Sequence, residues 1–155
     1  MQPFPGPPRG SRSGIPSTPP SDPLPVVCAL IERDGRVLIA RRPPGDHHLA
    51  DLWEFPGGKI DAGEMPAAAL LREIREELGV TLTDLRALPV HTHAYPTVRI
   101  ALHPFRARLA MPTTEPRALE HAALQWVAPA ALRDVALAAA DIPIVETYLA
   151  ALAGD

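Results

Sequence analysis

The stretch GKIDAGEMPAAALLREIREELGV, residues 58–80, decides how the rest of the chain is read. Between Pro66 and Gly79 it holds neither glycine nor proline, and Ala, Leu, Glu and Arg dominate it. Leu70, Leu71, Ile74 and Leu78 recur at the spacing of one helix face. Pro66 suits a first helical turn, where its missing N–H has no partner to lose, and Gly79 stands where a C-terminal cap glycine belongs. The spacing predicts a helix over 66–78. On that helix Glu73 and Glu76 are three residues apart and Glu73 and Glu77 four, so three carboxylates share a face. Like charges so placed repel by roughly a few tenths of a kcal/mol per pair unless a cation offsets them. Mg²⁺ takes oxygen ligands of this kind and keeps several waters. Arg72 and Arg75 offer a plainer outcome, in which they neutralise the face as ordinary surface pairs. The glycines just before the helix, Gly57-Gly58 and Gly63, let backbone approach a ligand closely and leave carbonyls free to bind a cation.

Upstream, VVCALIE (26–32) and RVLIARR (36–42) flank Arg33-Asp34-Gly35, a β-hairpin signal. Cys28 falls inside the first run and reads as a buried strand residue. Residues 43–51 form a loop with Pro43, Pro44 and Gly45, in which His47 and His48 face solvent. Downstream, 85–93 and 97–109 are expected as strands joined near Tyr95-Pro96. On the second, Arg99, Ala101, His103 and Phe105 alternate with Ile100 and Leu102. Residues 111–121 are turn-rich, 122–127 (AALQWV) read as a short strand, and PAALRDV (129–135) and PIVETYLAALA (143–153) as helices. The order is mixed, with no regular βαβ repeat.

The whole chain has 155 residues and a formal net charge of -3, one domain's worth of sequence with no electrostatic case for a nucleic-acid polymer or an anionic membrane as partner. Hydrophobic residues at 46% and charged residues at 21% exclude a collagen or a wholly disordered chain. The single cysteine excludes an intrachain disulfide and a cysteine zinc site. No apolar run approaches the roughly 18 residues of a membrane span, and the N-terminus lacks the apolar block of a signal peptide, so a cytoplasmic protein is expected. Nine of the 20 prolines lie within residues 1–25, so residues 1–24 are expected as a disordered tail and the folded domain over 25–155.

Taken as one string, 58–80 reads Gly58, five residues, Glu64, seven residues, Arg72-Glu73-Ile74, one residue, Glu76-Glu77, one residue, Gly79-Val80. This matches the Nudix box at every specified position, and the chain therefore resembles the Nudix hydrolases. LWEFPGGKI, the hairpin with its ARRP, and the C-terminal DIP are similar to the MutT branch and to its relatives acting on CTP and modified dCTP, so that the resemblance covers about residues 25–152. It implies an α/β (α+β) fold, the Nudix α/β/α sandwich with a mixed sheet. It also implies water attack on a nucleoside triphosphate, releasing the monophosphate and pyrophosphate, with Mg²⁺ or Mn²⁺ as cofactor. The leading substrate is 8-oxo-dGTP, a role in sanitising the nucleotide pool; the alternatives are CTP or a modified dCTP and, behind these, another nucleoside diphosphate derivative.

By the same resemblance Glu73, Glu76 and Glu77 match the helical metal ligands, and the Gly57 carbonyl matches another. Glu64 matches a supporting carboxylate, and Arg72 the arginine that orients the glutamates. Glu120 matches a loop glutamate of the MutT branch and is a further metal ligand. Glu73, Glu76 and Glu120 all remain open as the base that activates water. Phosphate contacts need cations, for which Arg41, Arg42 and Lys59 are candidates beside the Gly58 backbone, with Arg99 on the later strand. Asp141 stands where MutT carries a base-reading asparagine. An ionised aspartate only accepts hydrogen bonds, so Asp141 suits a base edge rich in N–H donors, or must be protonated. Its plainer reading is an N-cap for the last helix. Phe55 and Trp53 offer rings for stacking on a base, core packing being their commoner fate. His91, His93, His103 and Tyr95 lie on or near strands that could line the pocket and are read as structural or substrate-contacting.

Overall fold

The computed structural model describes residues 22–45 and 50–155. Strands β1 (Leu24–Arg33) and β2 (Arg36–Arg41) form the expected hairpin. Its two-residue turn puts Asp34 at φ 52° and Gly35 at φ 75°. Two successive left-handed residues give the turn whose twist matches that of the flanking strands.

Strands β1 and β2 then part. They pair only at Glu32↔Val37 and Arg33↔Arg36. Into the opening run two very short strands, β3 (Trp53–Glu54) and β4 (Gly57–Lys59). Strand β3 pairs with the end of β2 through Ala40↔Glu54 and Arg41↔Trp53, and β4 with the start of β1 through Val26↔Lys59 to Cys28↔Gly57. The glycine-rich segment is thus wedged into the sheet. On its other edge β1 runs parallel to β7 (Val98–Leu109), the parallel pair of a sheet otherwise antiparallel among its described strands. Strands β5 (Leu82–Ala87) and β6 (His91–Tyr95) share the far edge of β7, and β8 (Ala123–Val127) covers β2.

Helix α1 (Pro66–Leu78) has the expected bounds. Pro66 opens it, and Gly79 closes it at φ 70°, donating its N–H to the Arg75 carbonyl. Helix α2 runs Ile142–Ala153. The two helices cover opposite faces of the sheet. Val27, Ala29, Ile31 and Leu38 pack against Leu70, Ile74 and Leu78 of α1. Their neighbours Cys28, Leu30, Val37 and Ile39 pack against Ile144, Val145 and Tyr148 of α2. A strand covered on both faces needs apolar residues at every position, which is why VVCALI reads as a continuous run. The expected three-layer sandwich with a mixed sheet is therefore the observed fold.

Two expectations need correction. Residues 85–93 are not one strand but the end of β5 and the start of β6, with Leu88–Val90 between them. Pro89 lies inside that break, and neither it nor Pro104 opposite on β7 has an N–H to give the ladder; the Pro104 carbonyl still accepts the Leu88 N–H at 2.9 Å. PAALRDV forms a 3-10 helix over Pro129–Asp134 rather than an α-helix, and a second 3-10 turn, Ala139–Asp141, leads into α2. The proline-rich tail lies almost wholly outside the described residues, as do His47 and His48.

Candidate active site

The glutamate face of α1 lies against the wedge. The Glu73 carboxylate sits over Gly58 so closely that a Cβ there would fall on it, and a Cβ on Gly57 would overlap the Val27 carbonyl of β1. Glycine is needed at both positions because backbone and carboxylate occupy the space of a side chain. Sequence alone puts these glycines near a ligand; the packing shows what they are near.

Arg72 organises the acidic groups. Its Nε and Nη2 donate to the two oxygens of Glu64 at 2.7 and 2.8 Å. Its Nη1 donates to Glu73 at 2.9 Å, and its Nη2 also to the Lys59 carbonyl at 3.0 Å. One planar guanidinium thereby ties α1 to β4 and to the turn before the helix. Glu64 closes that turn by accepting the Asp61 N–H at 2.9 Å. The hydrogen bonds from Arg72, then that from Asp61, hold its carboxyl down at about 2. Glu76 is exposed, 3.6 Å from Arg72.

Glu77 differs from its neighbours. It is buried, its Oε1 has no hydrogen-bond partner, and burial together with the nearby carboxylates of Glu73, Glu54 and Glu120 pushes its pKa well above the usual range. Among the described residues no three acidic, histidine or cysteine side chains converge on one point as they stand. The donor chemistry nevertheless fits a hard divalent cation: every candidate is an oxygen, and a buried carboxylate oxygen lacks a partner amid like charges.

Beside the carboxylates opens a cleft of about 330 Å³, within the range of small-molecule sites. Cys28, Phe55 and Asp141 are among its buried residues, Val26, Ile100 and Leu102 form its apolar sides, and Arg42, Glu54, Lys59 and Thr97 are its more open ones. Asp141 does not cap α2, since its side chain makes no capping bond. Instead its Oδ2 accepts the Phe55 N–H at 2.8 Å, joining the start of α2 to the wedge. Burial pushes its carboxyl up to about 8. Tyr95 fastens the same turn, its hydroxyl accepting the Ala140 N–H at 3.1 Å. Burial and the charges of Asp141 and Glu54 keep the Cys28 thiol protonated.

The structure brings Arg42, Phe55, Gly57, Gly58, Lys59 and Asp141 together around the cleft, with Glu73 and Glu77 adjoining. Phe55 is 3% exposed and packs into the α2-side core, and Trp53 lies against the same core. Arg41 turns away, its guanidinium 5.9 Å from the Trp53 ring. Arg99 is not among the lining residues, because the pleat that directs Val98, Ile100 and Leu102 to the cleft sends it to the other face. Glu120 is exposed in the loop before β8. Two residues that sequence reading passed over are also here. Glu54 accepts hydrogen bonds from Arg42 and from His121, each at 2.8 Å. Glu54 lay inside LWEFPGG and could have been suspected from its position; nothing in the sequence singles out His121.

A profile describing the NUDIX domain matches residues 26–147. A CTP pyrophosphohydrolase of Escherichia coli (strain K12) is 41% identical over 125 residues, covering 81% of this chain and 90% of its own length. An 8-oxo-dGTP diphosphatase of Proteus vulgaris is 40% identical over 77 residues, 50% of this chain and 65% of that protein. Among solved structures, that of a MutT NUDIX hydrolase from Burkholderia pseudomallei superposes with a TM-score of 0.64 at 32% identity, covering 81% of this chain and 98% of the other.

Proposed function

The chain belongs to the Nudix hydrolase family and is a pyrophosphohydrolase of MutT type, and from that premise we propose that it hydrolyses 8-oxo-dGTP to the monophosphate and pyrophosphate with Mg²⁺. The observation that carries the reading is the juxtaposition of the α1 carboxylates, the Gly57-Gly58 backbone and a cleft with a buried aspartate at its base. When bound, a divalent cation supplies positive charge on the triphosphate and lowers the pKa of the attacking water. Glu73, Glu76, Glu77 and Glu120, with the Gly57 carbonyl, would hold it.

The chain's own groups supply the positioning that phosphoryl transfer needs. Arg72 fixes the Glu73 carboxylate in one orientation. Lys59 and Arg42 offer cations at the mouth of the cleft for the triphosphate. A nearby carboxylate, Glu73, Glu76 or Glu120, takes the proton of the water as its oxygen bonds to phosphorus. The bond to the pyrophosphate oxygen breaks, and pyrophosphate leaves. Asp141 meets the base. Protonated at neutral pH, it offers one donor and one acceptor, the pair an asparagine would offer.

A second reading, hydrolysis of CTP or a modified dCTP, is favoured by the CTP pyrophosphohydrolase that is 41% identical over 81% of this chain. A neutral carboxyl pairs as well with the N3 and amine of cytosine as with the O6 and N1–H of a guanine. The test is kcat/KM with Mg²⁺ for 8-oxo-dGTP, dGTP, CTP and 5-methyl-dCTP, following pyrophosphate. A strong preference for 8-oxo-dGTP over dGTP is expected. A preference for the cytosine nucleotides moves the chain to the second reading, and no turnover of any of the four refutes both.

A further inference from the structure

Glu54 reaches the site from β3, and both its oxygens are taken. Oε1 accepts Arg42 Nη1 at 2.8 Å and Oε2 is 2.8 Å from His121 Nε2. The imidazole is 6% exposed, and the segment that carries it is anchored by the Ala122 N–H, which donates to the Arg41 carbonyl at 2.9 Å. Nδ1 of the same ring is buried without a partner. A bare ring nitrogen tolerates that position better than an N–H would, since an unsatisfied buried donor carries its full desolvation penalty. The proton therefore sits on Nε2, and His121 donates to Glu54. Held from both ends, a carboxylate keeps one plane, and its remaining lone pairs point in fixed directions. Glu54 lines the cleft and stands close enough to both Glu77 and Asp141 to act on their charge.

We propose that His121 is a positioning residue: with Arg42 it clamps the Glu54 carboxylate where the cleft meets the α1 glutamates, so that Glu54 is oriented before substrate arrives. Small displacements of such groups cost disproportionately in rate. The proposal rests on reading the cleft as a nucleotide site.

The test is steady-state kinetics of the full chain with 8-oxo-dGTP and with CTP at saturating Mg²⁺, together with a Mg²⁺ titration of the rate. His121→Gln and His121→Leu are compared, each alone and combined with Glu54→Ala; glutamine keeps an N–H near the place of Nε2. His121→Leu is expected to lower kcat/KM by about tenfold, through KM, with the Mg²⁺ concentration for half-maximal rate unmoved. His121→Gln recovers most of the loss, and neither change adds to Glu54→Ala. Equal losses in the Gln and Leu variants, or losses that multiply with Glu54→Ala, overturn the proposal. The bond is also read without turnover by ¹⁵N NMR of the histidines in the wild type and in Glu54→Ala, so an unfolded His121→Leu chain does not blunt the test. An Nε2–H signal that Glu54→Ala shifts supports the clamp. A bare Nε2, or a signal that does not move, overturns it, even if the wild type turns over neither nucleotide and the functional reading falls separately.

Discussion

Asp141 is buried with a single backbone N–H as its close partner, and burial outweighs that bond. Its carboxyl sits at about 8 in the folded chain, against an ordinary value of 3.8. Between those values the folded state holds a proton that the unfolded chain has released, so the group's contribution to stability falls as pH rises from about 4 to about 8. Asp141→Asn removes this dependence. Thermal unfolding should show the variant gaining on the wild type by a few kcal/mol near pH 8, the advantage shrinking toward pH 4. Activity should separate the roles in parallel. Above pH 8 the wild type loses the donor of Asp141 and kcat/KM should decline, whereas the asparagine variant keeps both donor and acceptor; matching declines would remove Asp141 from base recognition. Arg72 makes a different argument. Its bonds to Glu64, Glu73 and Lys59 use a planar array that a lysine ammonium lacks. Arg72→Lys should lower kcat by about 10–100-fold while moving the melting temperature less, since lysine keeps a positive charge beside the half-buried carboxylates of Glu64 and Glu73. A variant with unchanged kcat would show that Glu73 needs no orienting partner.

At the scale of elements, the wedge of β3 and β4 between β1 and β2 makes the site, and the paired glycines let it close. The two should respond differently to the same methyl group. At Gly57 it meets the backbone of β1, which cannot yield, so Gly57→Ala should cost about 3 kcal/mol and lower the melting temperature. At Gly58 it meets the end of the Glu73 side chain, which can swing aside. Gly58→Ala should therefore fold nearly as well as the wild type yet lose most of its activity. Equal thermal losses, or full activity in Gly58→Ala, would contradict this placement. Helix α1 was legible in the sequence because thirteen residues carry a full helical period, a proline start and a glycine stop. Strands β3 and β4, at two and three residues, are too short to show any period. The break between β5 and β6 did carry a local signal, Pro89 in the middle of Leu88–Val90, which has no N–H for a ladder; the apolar residues on either side of it masked the interruption. Glu54 and His121 meet across 67 residues of chain, a contact that only the assembled sheet creates.

The molecule as a whole divides its tasks along β1. The half of the strand at Val26–Cys28 borders the cleft, and the other half ends in a buried ionic network. Glu32 stands roughly 13 Å along the strand from Cys28 at the rise of an extended chain. It accepts the Tyr148 hydroxyl at 2.7 Å and Arg106 Nε at 3.2 Å, and Arg106 also holds Asp155 at 2.8 Å. Arg106 is 6% exposed, so its charge depends on these carboxylates for solvation. The network pins the middle of α2, through Tyr148, and the chain just beyond it, through Asp155, to β1 and β7, which closes the α2-side layer at the end remote from the chemistry. Removing one partner of a buried charge is costly because the other charge stays buried, and Glu32→Ala also strands the Tyr148 hydroxyl. Glu32→Ala should destabilise the fold by about 3 kcal/mol, a fall of roughly 10 °C in melting temperature for a domain of this size. At 25 °C, where the variant stays folded, kcat and KM should match the wild type, since no group of the network borders the cleft. Activity lost in step with stability would instead mean that the two halves of β1 are coupled, and that the wedge is held open by strain along the whole strand.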